Sequence, residues 1–233
     1  MSRLPAVRLE RLLCAPRLGL YGGSFDPAHL GHRAVARAAR RAARLDAVVF
    51  VPAARSPHKA AAARFDDRQR LELLRLLLER EPQTGVWGIE LERPAPSYTV
   101  ETLESLARLR GAGAPRPFLI LGEDQLAGLS RWKAPERLWA LAEPLIVQRH
   151  SGAEFERALA AAAAEQPGLG PRLLAGAVRL DRPHPASATA IRAALARGAA
   201  PATLAAVLSA AQRRRLASWA SGAGSAGEPG LPG

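Results

Sequence analysis

The chain is short of the residues that several common chemistries require. Its one cysteine, Cys14, cannot form an internal disulfide. With His58, His150 and His184 in no ligand-like spacing, no zinc motif is supported either. A chain without disulfides suits a reducing compartment, so the cytoplasm is the expected location. No run of eighteen uncharged apolar residues occurs, which argues against a membrane-spanning helix. Arg8, Glu10 and Arg11 interrupt what would be the core of a signal peptide. Aromatics are only 5%, few for the stacking platforms of RNA-binding domains. The G-x-G-x-x-G dinucleotide fingerprint is missing. Lysine is confined to Lys59 and Lys133, so arginine carries nearly all the positive charge behind the net +12. Arg33, Arg37, Arg40, Arg41 and Arg44 form a stripe opposite Val35, Ala38, Ala39, Ala42 and Leu45, the pattern of an amphipathic helix with a solvated side. A nucleic-acid partner is therefore not expected, although the positive field can steer anionic substrates inward.

What the chain does have is the block Leu20-Tyr21-Gly22-Gly23-Ser24-Phe25-Asp26-Pro27-Ala28-His29-Leu30-Gly31-His32. An apolar run breaks into paired glycines, then a turn, then two histidines at the mouth of a helix. Glycine lets backbone approach a ligand with no Cβ in the way. A helix start offers unpaired N–H groups and a positive dipole end, both suited to phosphate. Histidines at i and i+3 share a helix face and can reach one anion. On these residues alone, a polyphosphate site competes with an ordinary tight turn, with surface histidines, and with half of a metal site.

Apolar residues make up 48% of the 233, enough for one large core. Strand-like and helix-like segments alternate: Arg17–Tyr21 strand, Leu30–Leu45 helix, Ala47–Pro52 strand, Asp66–Glu81 helix, Val86–Leu91 strand, Tyr98–Arg110 helix. Asp66 and Gln69 offer a capping box, and Leu71, Leu74 and Leu78 the buried stripe behind it. Phe118–Leu121 and Leu145–Val147 read as central parallel strands, and Leu173–Leu180 as a weaker one. Ser187–Ala196, Pro201–Leu208 and Ala210–Trp219 read as helices. The alternation predicts an α/β fold, a doubly wound, mostly parallel Rossmann-like sheet with a small helical C-terminal part. Ligands in such sheets sit beyond the carboxyl ends of the strands. Gly22–Asp26, Pro52–Lys59 and Gly122–Asp124 all fall there. Residues 1–16 are expected to be a leader of uncertain order, 17–219 a single domain whose part 187–219 is helical, and 220–233 a flexible tail.

Gly23-Ser24-Phe25-Asp26-Pro27-x-His29-x-Gly31-His32 resembles the G-[ST]-F-D-P-x-H-x-G-H signature of the nucleotidylyltransferase superfamily. Further blocks resemble one branch of it, the bacterial nicotinate-mononucleotide adenylyltransferases, in that family's order. Ser56-Pro57-His58-Lys59 is similar to its P-P-H-[KR] block. Glu92-Arg93-x-x-Pro96-Ser97-Tyr98-Thr99-x-x-Thr102-Leu103 is similar to its E-x-x-R/S-Y-T-x-x-T-L block. Gly122-x-Asp124, Trp132 and Ser187-Ala188-Thr189-x-Ile191-Arg192 complete the set. The likeness covers roughly residues 17 to 215.

The resemblance implies transfer of AMP from ATP to nicotinate mononucleotide, giving deamido-NAD and pyrophosphate. It implies that His29 and His32, with the Gly22, Gly23, Ser24 and Phe25 backbone, contact ATP phosphates. Ser187, Thr189 and Arg192 would form a second phosphate clamp, and Asp124 beside Gly122 would hold a ribose hydroxyl. On the acceptor side it implies Ser97, Tyr98 and Thr99 for the nicotinate carboxylate and Trp132 for the pyridine ring, while Lys59 reads either as a mobile charge for phosphate or as a surface lysine. Arg149 takes the place of an arginine that the family carries before Pro-Gly; here His150-Ser151-Gly152 follows, so its alignment is open. Taken as residues alone, Ser187 and Asp124 could be helix caps, Tyr98 and Thr99 a helix start, and Trp132 a surface anchor. Asp26 is expected to be structural. By analogy with other phosphoryl transfer, Mg²⁺ would bind through ATP oxygens, with no protein metal site. The rival readings are a sister transferase using nicotinamide mononucleotide or phosphopantetheine, and a non-catalytic nucleotide- or RNA-binding protein.

Overall fold

A computed structural model gives the fold and describes residues 6–54, 64–94, 96–149, 152–180 and 184–221. Six strands form one parallel sheet: β1 (Leu18–Gly23), β2 (Ala47–Pro52), β3 (Thr84–Val86), β4 (Phe118–Gly122), β5 (Glu143–Val147) and β6 (Ala177–Val178). Their order is β3-β2-β1-β4-β5-β6. The order reverses between β1 and β4, whose registered pairs include Tyr21 with Ile120. This is the doubly wound arrangement, and its switch point lies just beyond Gly23 and Gly122.

Alternate strand residues feed two cores, as a sheet covered on both faces requires. Leu18, Leu20, Val49, Leu119 and Ile146 face α1 (Ala6–Leu13), α4 (Thr99–Arg110), α5 (Pro135–Leu141), α6 (Gly152–Glu165) and α7 (Gly170–Ala175). Tyr21, Val48, Phe50, Ile120 and Val147 face α2 (Leu30–Ala42) and α3 (Asp67–Leu78). The third cluster joins Phe65 and Leu73 to Ile191 of α8 (Ala188–Ala196), Leu208, and Leu216 of α9 (Ala210–Ala220). The helical C-terminal part thus packs directly on α3. No helix among the described residues is long and apolar enough to cross a membrane.

Several expected boundaries move. The segment 1–16, expected to be of uncertain order, contains α1, and its Leu13 is buried in the first core. The strand expected over Val86–Leu91 is β3, ending at Val86; the chain then turns, with Leu91 N–H donating to the Gly88 carbonyl. The strand expected over Leu173–Leu180 is α7 followed by two strand residues. Gly176 between them passes so close to the Pro144 carbonyl that a Cβ there would collide with it. The helix expected over Pro201–Leu208 is a 3-10 turn over Pro201–Leu204. The Asp66–Gln69 capping box is present, and of the expected stripe Leu74 and Leu78 are buried while Leu71 packs half-buried on the second core; Arg70, Leu73 and Leu77 complete the buried face of α3.

Arg70 is 2% exposed. Its guanidinium donates to the carbonyls of Ser24 (2.6 Å) and Ala53 (2.8 Å) and to Asp67 Oδ1 (2.6 Å). It therefore pins the loop after β1 to the loop after β2 from beneath. Replacing it leaves buried carbonyls without donors, so Arg70→Leu should lower the unfolding free energy by about 2–4 kcal/mol in urea titrations.

Candidate active site

The turn after β1 is tightly built. Gly23 abuts the Phe25 ring, where an added Cβ would come within 3.0 Å. Phe25 is buried with a left-handed φ of 46°, a conformation that L side chains rarely adopt. Gly22, by contrast, faces open space. Asp26 is structural, as expected: its carboxylate accepts from the Arg64 and Phe65 N–H groups, each at 3.0 Å.

His29 stands in extended backbone immediately before α2. Its side chain is completely buried, and neither ring nitrogen has a hydrogen-bond partner among the described residues. Burial first, then the positive Arg149 and the coupling to His184, pulls its pKa down to about 3, so the ring is neutral. His32 stacks on it with centroids 3.8 Å apart, and its Nδ1 accepts the His29 N–H at 3.2 Å. That bond assigns the hydrogen of a neutral His32 ring to Nε2. Gly31 is required beside this pair, because a Cβ there would lie 2.9 Å from His29 Nδ1. One expectation needs correction. The Leu30 N–H at the helix start is not open to phosphate, since it donates to the Val207 carbonyl at 2.9 Å.

Across the switch point, the Gly122–Arg149 region supplies charge. The Arg149 backbone N–H donates to the buried Glu123 carboxylate (2.8 Å), and its guanidinium meets Asp124 Oδ1 at 3.2 Å. A Cβ on Gly122 would fall on Asp124 Oδ1 and 2.8 Å from Arg149 Cδ, so glycine lets this pair lie over the end of β4. Asp124 forms no helix cap; Gly122 occupies that position. Tyr21 is buried close enough to feel both charges, and burial pushes its hydroxyl pKa up. A small pocket beside His29 is lined by Gly31, Ala34, Gln148, Arg149, Leu180 and His184.

The C-terminal part reaches the same loop. Ser187 caps α8, its hydroxyl accepting from the Ala190 N–H. Arg192 donates to the Asp26 carbonyl at 2.7 Å and to Thr189 Oγ1 at 3.2 Å. The guanidinium expected to act with His29 and His32 therefore docks three residues before His29.

On the other flank, Tyr98 occupies the N-cap position of α4 and Ser97 is buried before it. Lys133 sits 4.0 Å over the Tyr98 ring and bonds Glu101 at 2.8 Å. This brings the Ser97–Thr99 segment to the one that carries Trp132; Tyr98 and Trp132 both pack half-buried on the first core. Of the acidic pair in this stretch, Glu92 is exposed and Glu90 is the buried partner. Thr102 donates to Glu90 at 2.9 Å, and burial raises the Glu90 pKa against the pull of Thr102, Arg93 and Ser97. Lys59 lies outside the described residues.

Sequence reading missed four groups that shape the site. Arg70 was visible as a charge in the i, i+3, i+4, i+7 row with Leu73, Leu74 and Leu77. Ser209-x-x-Gln212 has the form of a capping box. Lys133, one of two lysines, adjoins Trp132. Glu90, three residues before Arg93, had no signal beyond that spacing.

A family model described as cytidylyltransferase-like matches residues 20–194. A Bordetella petrii protein named "probable nicotinate-nucleotide adenylyltransferase" is 41% identical over 192 residues, spanning 81% of this chain and 91% of the relative. A Thermus thermophilus protein of the same name is 43% identical over 133 residues, 57% of this chain and 69% of the relative. Among solved structures, Plasmodium falciparum nicotinic acid mononucleotide adenylyltransferase complexed with NaAD is similar with a TM-score of 0.63. It is 13% identical and covers 87% of this chain and 95% of that one, a likeness of fold.

The buried neutral His29 makes stability depend on pH. Unfolded, the imidazole takes up a proton below its ordinary pKa of about 6.5; folded, it resists down to about 3. Stability contributed by this group is level above about 6.5 and falls as pH drops through that window. His29→Gln removes the titration. Its urea-unfolding loss between pH 7 and pH 5 should be smaller than that of the unaltered protein by up to about 2 kcal/mol.

Proposed function

We propose, from the premise that this chain belongs to the cytidylyltransferase-like family and within it to the nicotinate-nucleotide adenylyltransferases, that it transfers AMP from ATP to nicotinate mononucleotide. The products are deamido-NAD and pyrophosphate, and the setting is NAD synthesis in the cytoplasm. The observation that carries the reading is the convergence at one sheet switch point of a buried histidine whose ring has no hydrogen bond among the described residues, its stacked neighbour, Arg149 and the loop held by Arg192.

The reaction asks for position and charge rather than for a nucleophilic side chain. An oxygen of the mononucleotide phosphate attacks the α-phosphorus in line, and the bond to the β-phosphate oxygen breaks with its electron pair leaving on pyrophosphate. The attacking group is already an anion, so no general base is needed. Negative charge grows on the departing oxygens, where preorganised donors count most. His32 Nε2–H and the neutral His29 ring are such donors, fixed by stacking. Arg149 and Arg192 add guanidinium charge at either side, and Gly22 leaves room for the phosphates to pass close to backbone. Asp124, held by Arg149 over the end of β4, is assigned to a ribose hydroxyl of the adenosine.

Mg²⁺ fits this arrangement without a protein cage. Among the described residues no cluster of three His, Cys, Asp or Glu side chains could hold it, and Asp124 is engaged with Arg149. The ion would ride on triphosphate oxygens and water, neutralising charge that the arginines do not reach.

Acceptor recognition falls to the Ser97–Thr99 and Trp132 segments. The half-buried indole offers a flat surface to a pyridine ring. The Thr99 hydroxyl and the start of α4 are assigned to its carboxylate, with Ser97 buried behind them. The ammonium of Lys133, anchored on Tyr98 and Glu101, adds a positive charge that favours nicotinate over nicotinamide. Lys59 is assigned to the mononucleotide phosphate.

Purified protein with Mg-ATP and nicotinate mononucleotide should release pyrophosphate. Release should be slower with nicotinamide mononucleotide and absent with phosphopantetheine; no release with either pyridine mononucleotide would defeat the assignment. Trp132→Ala should raise the mononucleotide KM by on the order of tenfold while leaving the KM for ATP nearly unchanged, read by steady-state kinetics with each substrate varied in turn.

A further inference from the structure

We infer that the C-terminal helical part is a positioning element of the nucleotide site, with Gln212 of α9 as the residue that holds His29 in register for a triphosphate. The inference rests on the reading of His29 as a phosphate ligand.

The loop from Asp26 to Leu30 is gripped at three alternating residues by groups from far down the chain. Arg192 donates to the Asp26 carbonyl, Gln212 Nε2 donates to the Ala28 carbonyl at 2.8 Å, and the Val207 carbonyl accepts the Leu30 N–H at 2.9 Å. The last two bracket His29 on either side. Its own ring has no hydrogen bond among the described residues to orient it, only the stack on His32 and the wall at Gly31. The direction of the imidazole is therefore set through its backbone, and that backbone is set by the C-terminal part.

Gln212 is built for the task. It is completely buried, and its amide is fully used. The two Nε2 hydrogens go to Ala28 and, at 2.9 Å, to the Leu73 carbonyl of α3, while Oε1 accepts the Ser209 N–H at 3.0 Å. One side chain thus ties the histidine loop, the helix beneath it and the start of α9 together. Leu208 and Leu216 dock the same segment beside Phe65 and Leu73.

Gln212 also caps α9, so Gln212→Leu lowers thermal stability whatever its effect on the site; the informative readouts are kinetic. At a temperature where circular dichroism shows every variant folded, kcat/KM for ATP is measured for Gln212→Leu, His29→Ala and the double variant. Each single change should lose roughly 10- to 100-fold, since small misplacements of a positioned group cost that much. Gln212→Leu should leave the mononucleotide KM within about twofold, and the double variant should be no worse than His29→Ala, because Gln212 acts through that histidine. Multiplying losses, or a Gln212→Leu enzyme as active as the unaltered one beside an impaired His29→Ala, overturn the inference alone. An unimpaired His29→Ala enzyme sinks the phosphate reading, and the inference with it. The unaltered protein supplies a second test should the leucine variant not fold. A non-hydrolysable ATP analogue should slow amide exchange at Leu30 and across residues 210–220; exchange there that is unmoved at saturation overturns the inference.

Discussion

A buried loop must have its polar backbone atoms satisfied, and the segment between β1 and α2 obeys that demand with donors borrowed from elsewhere. The loop is buried at Phe25, Asp26, Ala28 and His29, so water cannot serve its carbonyls. Arg70 takes Ser24, Arg192 takes Asp26, and Gln212 takes Ala28. Remove these and the turn that carries the histidines has no reason to keep its shape. The sheet delivers the loop to the switch point; the three donors decide what it looks like there.

That division explains what could be read in advance. The doubly wound parallel sheet followed from apolar runs such as Phe118–Leu121 alternating with amphipathic helices, because burial on both faces writes itself into composition. The glycine–histidine block stood out by its own pattern, a glycine turn followed by histidines three apart, whereas the Ser187–Arg192 segment stood out through its family resemblance and by itself read as a helix cap. What escaped were features set by contacts distant in sequence. Nothing near Gln212 says that it reaches Ala28. Arg70 looks like a solvated charge until the helix is placed with that face inward. β6 was misjudged because α7 gains its burial through Leu173 and the close pass of Gly176 under Pro144, which no local pattern declares.

The surplus of arginine finds partial use. Arg33 and Arg37 on the α2 stripe meet Glu81, which makes that stripe part of the packing between α2 and the end of α3 more than a bare cationic face. Others are consumed on backbone: Arg17 on the Ala43 carbonyl, Arg110 on those of Pro115 and Ala15. A planar guanidinium with five donors serves such carbonyl clusters better than an ammonium does. Near His29, the Arg149 charge adds to burial in keeping that imidazole neutral.

The grip of α9 on the loop has a consequence for how the protein comes into being. Gln212 follows Ala28 by 184 residues. At about 5–20 residues per second, a translating ribosome leaves roughly 10–40 s between the emergence of the two. Through that interval the Ala28 carbonyl of the glycine–histidine turn is without the donor that Gln212 later supplies. The switch-point end of the sheet is completed only after Gln212 has emerged from the exit tunnel.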